Sequence, residues 1–361
     1  MEAYKRKIVY LHPIYLNGDK NKVVEKIKDE FRLQNNESCN VEFEWSMEKP
    51  EYIIATELIY VDRKIAKLFF DLVEKNPNAI LIFIGYEFVS PDMNIFDYAL
   101  SFDRNCKMQD RIVKVPTIYH FAGYMLETKN QMSYEEALKE YEKRKFCNFI
   151  YSNSNAHPVR DQIFYALERY KRVDSLGGHL NNMGNTITRY EKDWGYQSIN
   201  MKAQYRFSIS AGNAIGSGNT DEKLLTSFQA HSIPIFWGDP DVEDEFNPDA
   251  FINVGKFSTL EDLVFEVSRI DQDPHLWSKM VSAPWQTPEQ EREKIKEEER
   301  YTEFWLNVFC QDISKAHRAP QGTFTSVYQK VYYGMLKKCV GRSGIIEQLR
   351  ERCHHLKTRR R

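Results

Sequence analysis

The sequence predicts an α/β fold in more than one domain, and three observations predict it. Short apolar runs of strand length alternate with amphipathic stretches along most of the chain, the pattern of sheets covered by helices. Residues 205–239 read as strand, glycine-rich loop, helix and strand again, a βαβ unit. The 361 residues exceed what one hydrophobic core usually holds, so two domains are expected.

In chain order, residues 7–11 read as a first strand and 23–33 as an amphipathic helix. Residues 41–45 alternate like a half-buried strand. A strand at 52–55 and a helix at 61–75 follow, then a continuous apolar strand at 79–85 of the kind buried in parallel sheets. That strand ends at Gly85-Tyr86-Glu87, and ligands of such sheets gather at the carboxyl ends of strands. After a turn at Ser90-Pro91-Asp92, residues 95–100 resume apolar structure. The charged, helical stretch 132–144 bridges to a second series.

The second series opens with a strand at 146–151 that runs into Ser152-Asn153-Ser154-Asn155, followed by a helix at 159–170. A strand near Val173 runs into Gly177-Gly178. In the focal unit, the apolar run 205–210 precedes a loop containing Gly212, Asn213, Gly216, Gly218 and Asn219. Thr220-Asp221-Glu222-Lys223 then opens a helix, and 233–237 form the next strand. Glycines let backbone approach a ligand closely, and a helix capped by Thr220 or Asp221 offers N–H groups to an anion. The spacing matches neither a dinucleotide fingerprint nor a P-loop, so the loop alone also fits an ordinary βα connection. A strand at 251–254, a helix at 260–270, a solvated charge run at 288–300 and a basic amphipathic end from Val331 complete the chain.

A net charge of −2 gives no global field toward nucleic acid, so no nucleic-acid partner is expected. The six cysteines are far apart and form no CxxC pair, which predicts free thiols in a reducing compartment and no zinc site. The charged N-terminus followed by a strand-length apolar run predicts no leader peptide. No run approaches the roughly 18 apolar residues of a membrane span. These points predict a cytoplasmic protein, and the basic end adds an expected peripheral contact with anionic membrane.

Several blocks together resemble the α-1,3-fucosyltransferases of glycosyltransferase family ten, bacterial members above all. They are Ser90-Pro91-Asp92-Met93-Asn94-Ile95-Phe96-Asp97-Tyr98-Ala99 with Phe102-Asp103-Arg104, and Phe146 to Asn153 with Arg160. Val173-Asp174-Ser175 and Leu180-Asn181-Asn182 form a further block. Thr220-Asp221-Glu222-Lys223, Ile233-Pro234-Ile235-Phe236-Trp237-Gly238, Phe246-Asn247-Pro248 and Phe251-Ile252-Asn253-Val254 complete the set in order. The resemblance implies a GT-B architecture, two Rossmann-like domains facing across a cleft, followed by C-terminal helices. It divides the chain into an acceptor domain at 1–145, a nucleotide-sugar domain at 146–305 and helices with a basic tail at 306–361.

The resemblance also implies inverting transfer of fucose from GDP-β-L-fucose to a glycan of the Gal/GlcNAc type, an oligosaccharide acceptor. Glu87 falls at the general base, where a half-buried carboxylate would have a raised pKa. Arg160 and Lys223 fall at the pyrophosphate contacts and Glu222 at the ribose contact. Ser152, Asn153, Asn213, Gly216 and Gly218 complete the expected donor site. His12 and Tyr15, after the first strand, are acceptor candidates by position. Two cations at the diphosphate make a metal cofactor unnecessary, although a divalent ion could stimulate. One departure stands out: Ala211-Gly212-Asn213 replaces the family's Phe-Glu-Asn, and Ser217 and Asn219 stand where it has an aromatic. The alternatives are therefore a transferase using another GDP-sugar, or a non-catalytic sugar-nucleotide or glycan-binding homologue.

Overall fold

The structure is a computed structural model, and it describes residues 4–33, 41–106, 108, 110–114, 131–184 and 194–339. Contacts divide the chain into two compact units, one of residues 1–115 with 297–361 and one of residues 116–296.

The first unit is built on a six-stranded parallel sheet. Its strands are β1 (Tyr4–Leu11), β2 (Val41–Trp45), β3 (Tyr52–Thr56), β4 (Ile80–Ile84), β5 (Tyr98–Ser101) and β6 (Ile112–Lys114), in the order β2-β1-β3-β4-β5-β6. The helices between them are α1 (Pro13–Leu16), α2 (Lys20–Glu30), α3 (Leu58–Val61) and α4 (Arg63–Lys75). β3 and β4 are buried along their whole length, as continuous Ile- and Phe-rich strands covered on both faces must be. Alternation in the strands splits the core. Val9, Ile53, Leu81 and Phe83 face a layer containing Phe69, Phe70 and Phe96. On the other side Tyr52 meets Phe309, which also packs on Phe31, Phe43 and Trp305.

The second unit holds a five-stranded parallel sheet in the order β11-β10-β9-β7-β8. These strands are β7 (Lys145–Phe149), β8 (Val173–Ser175), β9 (Tyr205–Ala211), β10 (Ile233–Trp237) and β11 (Ile252–Asn253). Around it lie α5 (Tyr134–Glu140), α6 (Val159–Tyr170), α7 (Trp194–Lys202), α8 (Glu222–Gln229), α9 (Leu260–Asp271) and α10 (Pro274–Val281). Trp277 of α10 is fully buried and its indole N–H donates to the Arg206 carbonyl, which ties that helix to β9. The expected βαβ unit is present: β9 pairs in parallel with β10, from Phe207 opposite Ile233 to Ala211 opposite Trp237.

The charge run at 288–300 lies within α11 (Pro288–Phe309), whose last turns are aromatic and buried at Trp305, Val308 and Phe309. The helix thus carries the chain from the second unit into the first, where the Phe309 carbonyl accepts from Arg6 Nε and the Val308 carbonyl from the Tyr52 hydroxyl. α12 (Thr323–Cys339) adds Tyr332, Tyr333 and Leu336 to the core of the first unit. The basic stretch from Gly341 lies outside the described residues.

The cysteine expectation needs correction. Cys106 and Cys147 are free, but Cys310 is disulfide-bonded. Wide spacing along the chain says nothing against a pair that the fold brings together.

Candidate functional site

The residues expected to hold a nucleotide sugar converge at the carboxyl ends of β7 and β9, and Tyr151 organises them. Its ring leaves β7 and its hydroxyl lies 3.0 Å from the Ile209 carbonyl and 2.9 Å from that of Ala211. The same oxygen accepts from the Ala211 N–H at 2.7 Å. On the β8 side, the backbone of Gly177 passes so close to Tyr151 that a Cβ there would sit 2.1 Å from its carbonyl oxygen, so only glycine fits. Pinned on both sides, the ring presents a surface to two cations. The Arg160 guanidinium carbon lies 4.5 Å from its centroid and the Lys223 ammonium 5.8 Å from it.

Arg160 belongs to the first turn of α6 and is 1% exposed, where a surface helix residue would lie in water. Its guanidinium donates to the Asn153 carbonyl and, at 3.4 Å, to Asn213 Oδ1. Asp161 lies 3.6 Å from its Nε, which has no hydrogen-bond partner among the described residues. Arg160, Asn153 and Asn213, from three separate stretches, therefore meet at one point. Ser152 is exposed beside them.

Lys223 lies in the first turn of α8, where the helix dipole disfavours a cation. Neighbouring carboxylates offset that: Asp221 Oδ2 lies 2.8 Å and Glu222 Oε1 3.0 Å from Nζ. Burial works against the Lys223 charge, but the two carboxylates outweigh it and raise its pKa. Burial also works against the Glu222 charge, yet the Lys223 ammonium outweighs it and leaves that carboxyl lowered. Asp221, which caps α8 by accepting from the Lys223 N–H, stays raised because burial dominates.

The glycine loop is closed against β10. Gly212 N–H donates to the Trp237 carbonyl at 2.7 Å and Gly216 N–H to that of Gly238 at 3.0 Å. Gly218 has φ +96°, a left-handed conformation that glycine adopts without strain. A Cβ at Gly212 would meet only ordinary contacts at 3.4–3.6 Å, so close packing does not require glycine at this position.

Two groups at this site escaped the sequence reading. The sequence places Tyr151 at a strand end within the Phe146–Asn153 block and gives it no role of its own. Lys202, the last residue of α7, was not singled out at all, yet it is 3% exposed and reaches beneath α8.

In the first unit, Glu87 follows β4 and is exposed, contrary to the half-buried carboxylate expected. The chain has already turned out of the sheet at Tyr86, and it is Tyr86 that points inward. Its hydroxyl joins those of Tyr10 and Tyr15 on the half-buried carboxylate of Glu30. Burial raises the Glu30 pKa, against the pull of the three phenols. Glu57, after β3, accepts from the Tyr86 N–H at 3.0 Å, and burial followed by the Glu87 charge keeps its carboxyl raised. Tyr15 is buried and stacked on Tyr10 at 4.2 Å, with its hydroxyl on Glu30. His12 caps α1 through Nδ1, and its ring centroid lies 5.6 Å from that of Tyr86. Among the described residues, no group of three His, Cys, Asp or Glu side chains is placed to hold a metal ion.

The sequence profile of glycosyltransferase family 10 (fucosyltransferase), C-terminal region, matches residues 140–332, more than half of the chain. The chain belongs to glycosyltransferase family 10. The match takes in Tyr151, Arg160, Asn213, Glu222 and Lys223; His12, Tyr15 and Glu87 precede it. An α-(1,3)-fucosyltransferase of Helicobacter pylori is 28% identical over 236 residues, covering 54% of this chain and 47% of the relative. The chain thus spans about half the length of the curated relative it matches. Among solved structures, an α1,3-fucosyltransferase superposes with TM-score 0.61 at 20% identity, covering 89% of this chain and 93% of that one. An α1,3-fucosyltransferase with GDP-fucose gives 0.58 at 20% identity, with 83% and 90% covered. At that identity the likeness carries the fold, and this family 10 chain has the GT-B class of α/β fold, with a parallel sheet in each unit.

Proposed function

We propose that this chain is an inverting glycosyltransferase moving L-fucose from GDP-β-L-fucose to a hydroxyl of a Gal/GlcNAc-type glycan. The observation that carries the reading is the pair of cations, Arg160 and Lys223, held on Tyr151 beside a glycine loop and a helix N-terminus. A guanidinium matches two phosphate oxygens and an ammonium adds a point charge. Together they stabilise a departing diphosphate, so turnover does not depend on a metal, and a divalent ion only adds charge to the same place. Glu222 takes the ribose hydroxyls, with Ser152, Asn153, Asn213, Gly216 and Gly218 around the nucleotide. Names in the family support the sugar: an α-(1,3)-fucosyltransferase among the relatives and GDP-fucose in a structural neighbour.

In a single displacement, the acceptor oxygen bonds to the anomeric carbon as the bond to the diphosphate breaks on the opposite face. GDP leaves with the electron pair, the acceptor proton passes to Glu87, and the β-linked donor becomes an α-fucoside. His12 and Tyr15 are assigned to the acceptor side; with the Tyr15 hydroxyl on Glu30, Tyr15 acts by shaping the surface.

Gly212 favours one second reading, a transferase for a different GDP-sugar. Rates of product formation with GDP-fucose and GDP-mannose, on N-acetyllactosamine as acceptor, separate the two. The first reading predicts an α-fucosylated product and a clear preference for GDP-fucose. It also predicts that Gly212→Glu, at a position where a Cβ meets only ordinary contacts, raises fucose transfer. Preference for GDP-mannose would establish the second reading instead.

A peripheral contact with anionic membrane is proposed for the C-terminal end. Among the described residues no helix is long and apolar enough to cross a membrane. α12 nevertheless exposes Phe324 (91%), Val327, Val331 and Met335 along one face, just ahead of the basic stretch. The Cys310 disulfide removes the support that six free thiols gave to a cytoplasmic location.

A further inference from the structure

Beneath the first turn of α8 lies a lysine, Lys202, that makes no contact with the ring of Tyr151 in the proposed transfer step. Lys202 Nζ donates to the Lys223 carbonyl at 3.1 Å, Thr226 Oγ1 at 2.7 Å and Ser227 Oγ at 3.0 Å. All three acceptors are neutral, and the residue is 3% exposed. The Lys223 carbonyl also accepts from Ser210 Oγ at 3.2 Å and Ser227 Oγ at 2.7 Å, so this turn is pinned to β9 as well as to α7. Lys202 thus fixes the backbone of the residue whose ammonium faces Tyr151.

We propose that Lys202 is a positioning residue of the donor site, holding the first turn of α8 in register, and that it takes up a proton when a nucleoside diphosphate docks there. The proposal rests on the donor-site reading above. A buried ammonium with only neutral partners lacks the counter-ion that would keep it charged. It also sits at the positive end of the α8 dipole. Burial accordingly lowers its pKa from the ordinary lysine value to about 7; Glu222 and Asp221 pull it upward and Lys223 pushes it down. Those three are the charged groups acting on it from the start of α8, while β9 contributes Ser210, bonded to the same Lys223 carbonyl.

A diphosphate arriving at the same turn supplies the missing negative charge and favours the protonated form. The sign follows from linkage. With the bound-state pKa above the free-state value, docking consumes protons at pH above about 7, and affinity falls as pH rises. Each proton taken up gives a slope of up to tenfold in affinity per pH unit in that window.

Calorimetric titration of GDP into the full chain at pH 8, in HEPES and in Tris, reads the proton count from the difference in apparent enthalpy. Lys202→Met removes the ammonium, and Lys202→Arg keeps a charge that does not titrate in this range. The expected result is uptake of roughly half to one proton by the wild type, and little by either variant. GDP affinity of the wild type should fall roughly fivefold or more from pH 7 to 8.5, and that of Lys202→Arg should stay flat. Lys202→Arg that binds GDP normally at pH 7 shows that the fold survives. Equal proton uptake in wild type and Lys202→Arg would overturn the linkage while leaving the donor site standing. Absence of GDP binding by the wild type would overturn the donor-site reading and this proposal together.

Discussion

At the scale of single residues, Glu87 has one proposed role and Arg160 and Lys223 have another. Glu87 is exposed, and the Glu57 carboxylate accepts from the N–H of Tyr86 beside it. If Glu87 takes the acceptor proton, Glu87→Gln lowers kcat by about two to four orders of magnitude, because an amide cannot accept it. GDP affinity should stay within twofold in that variant. Turnover near the wild-type rate, followed by product analysis across pH, would remove Glu87 from the role. The sequence revealed these residue identities only through aligned blocks. The burial of Arg160 against Asn213 was not legible, because that contact joins stretches more than fifty residues apart.

At the scale of elements, the reading succeeded where apolar periodicity is strong. The βαβ unit, the buried β4 and the alternating β2 all follow from one-dimensional pattern. It failed at α7, whose mixed sequence shows little amphipathic signal and so hid Lys202. It also overlooked the polar cluster that holds Tyr86, since β1, α1, α2 and the turn after β4 contribute one residue each. That cluster has a pH signature. The folded-state pKa of Glu30 is raised by burial, so its contribution to stability is greatest at low pH and is lost as pH rises through the folded pKa. Glu30→Gln should therefore flatten the dependence of the urea midpoint on pH above about 4.5, the carboxyl's ordinary value. An unchanged pH dependence in the variant would show that Glu30 does not titrate in this range.

At the scale of the whole molecule, the C-terminal segment returns to the first unit through α11 and α12, and α12 is left with one apolar face outward. Basic residues near an anionic leaflet contribute about 1 kcal/mol each, and the apolar face adds area that can enter the headgroup zone. Phe324→Ser with Val331→Ser should reduce co-sedimentation with phosphatidylserine-containing vesicles several-fold, and high salt should reduce it further. Pelleting equal to that of the unaltered chain would assign the stripe no membrane role.

The central claim is that the diphosphate of a GDP-sugar docks on the cations bracketing Tyr151, and comparing GDP with guanosine tests it most directly. Calorimetric titration of both ligands into the wild type and Lys223→Ala isolates the phosphate contribution. The wild type should bind GDP far more tightly than guanosine, and Lys223→Ala should lose roughly 1.5–3 kcal/mol for GDP and almost nothing for guanosine. Equal affinities for the two ligands in the wild type, or equal losses in the variant, would contradict it.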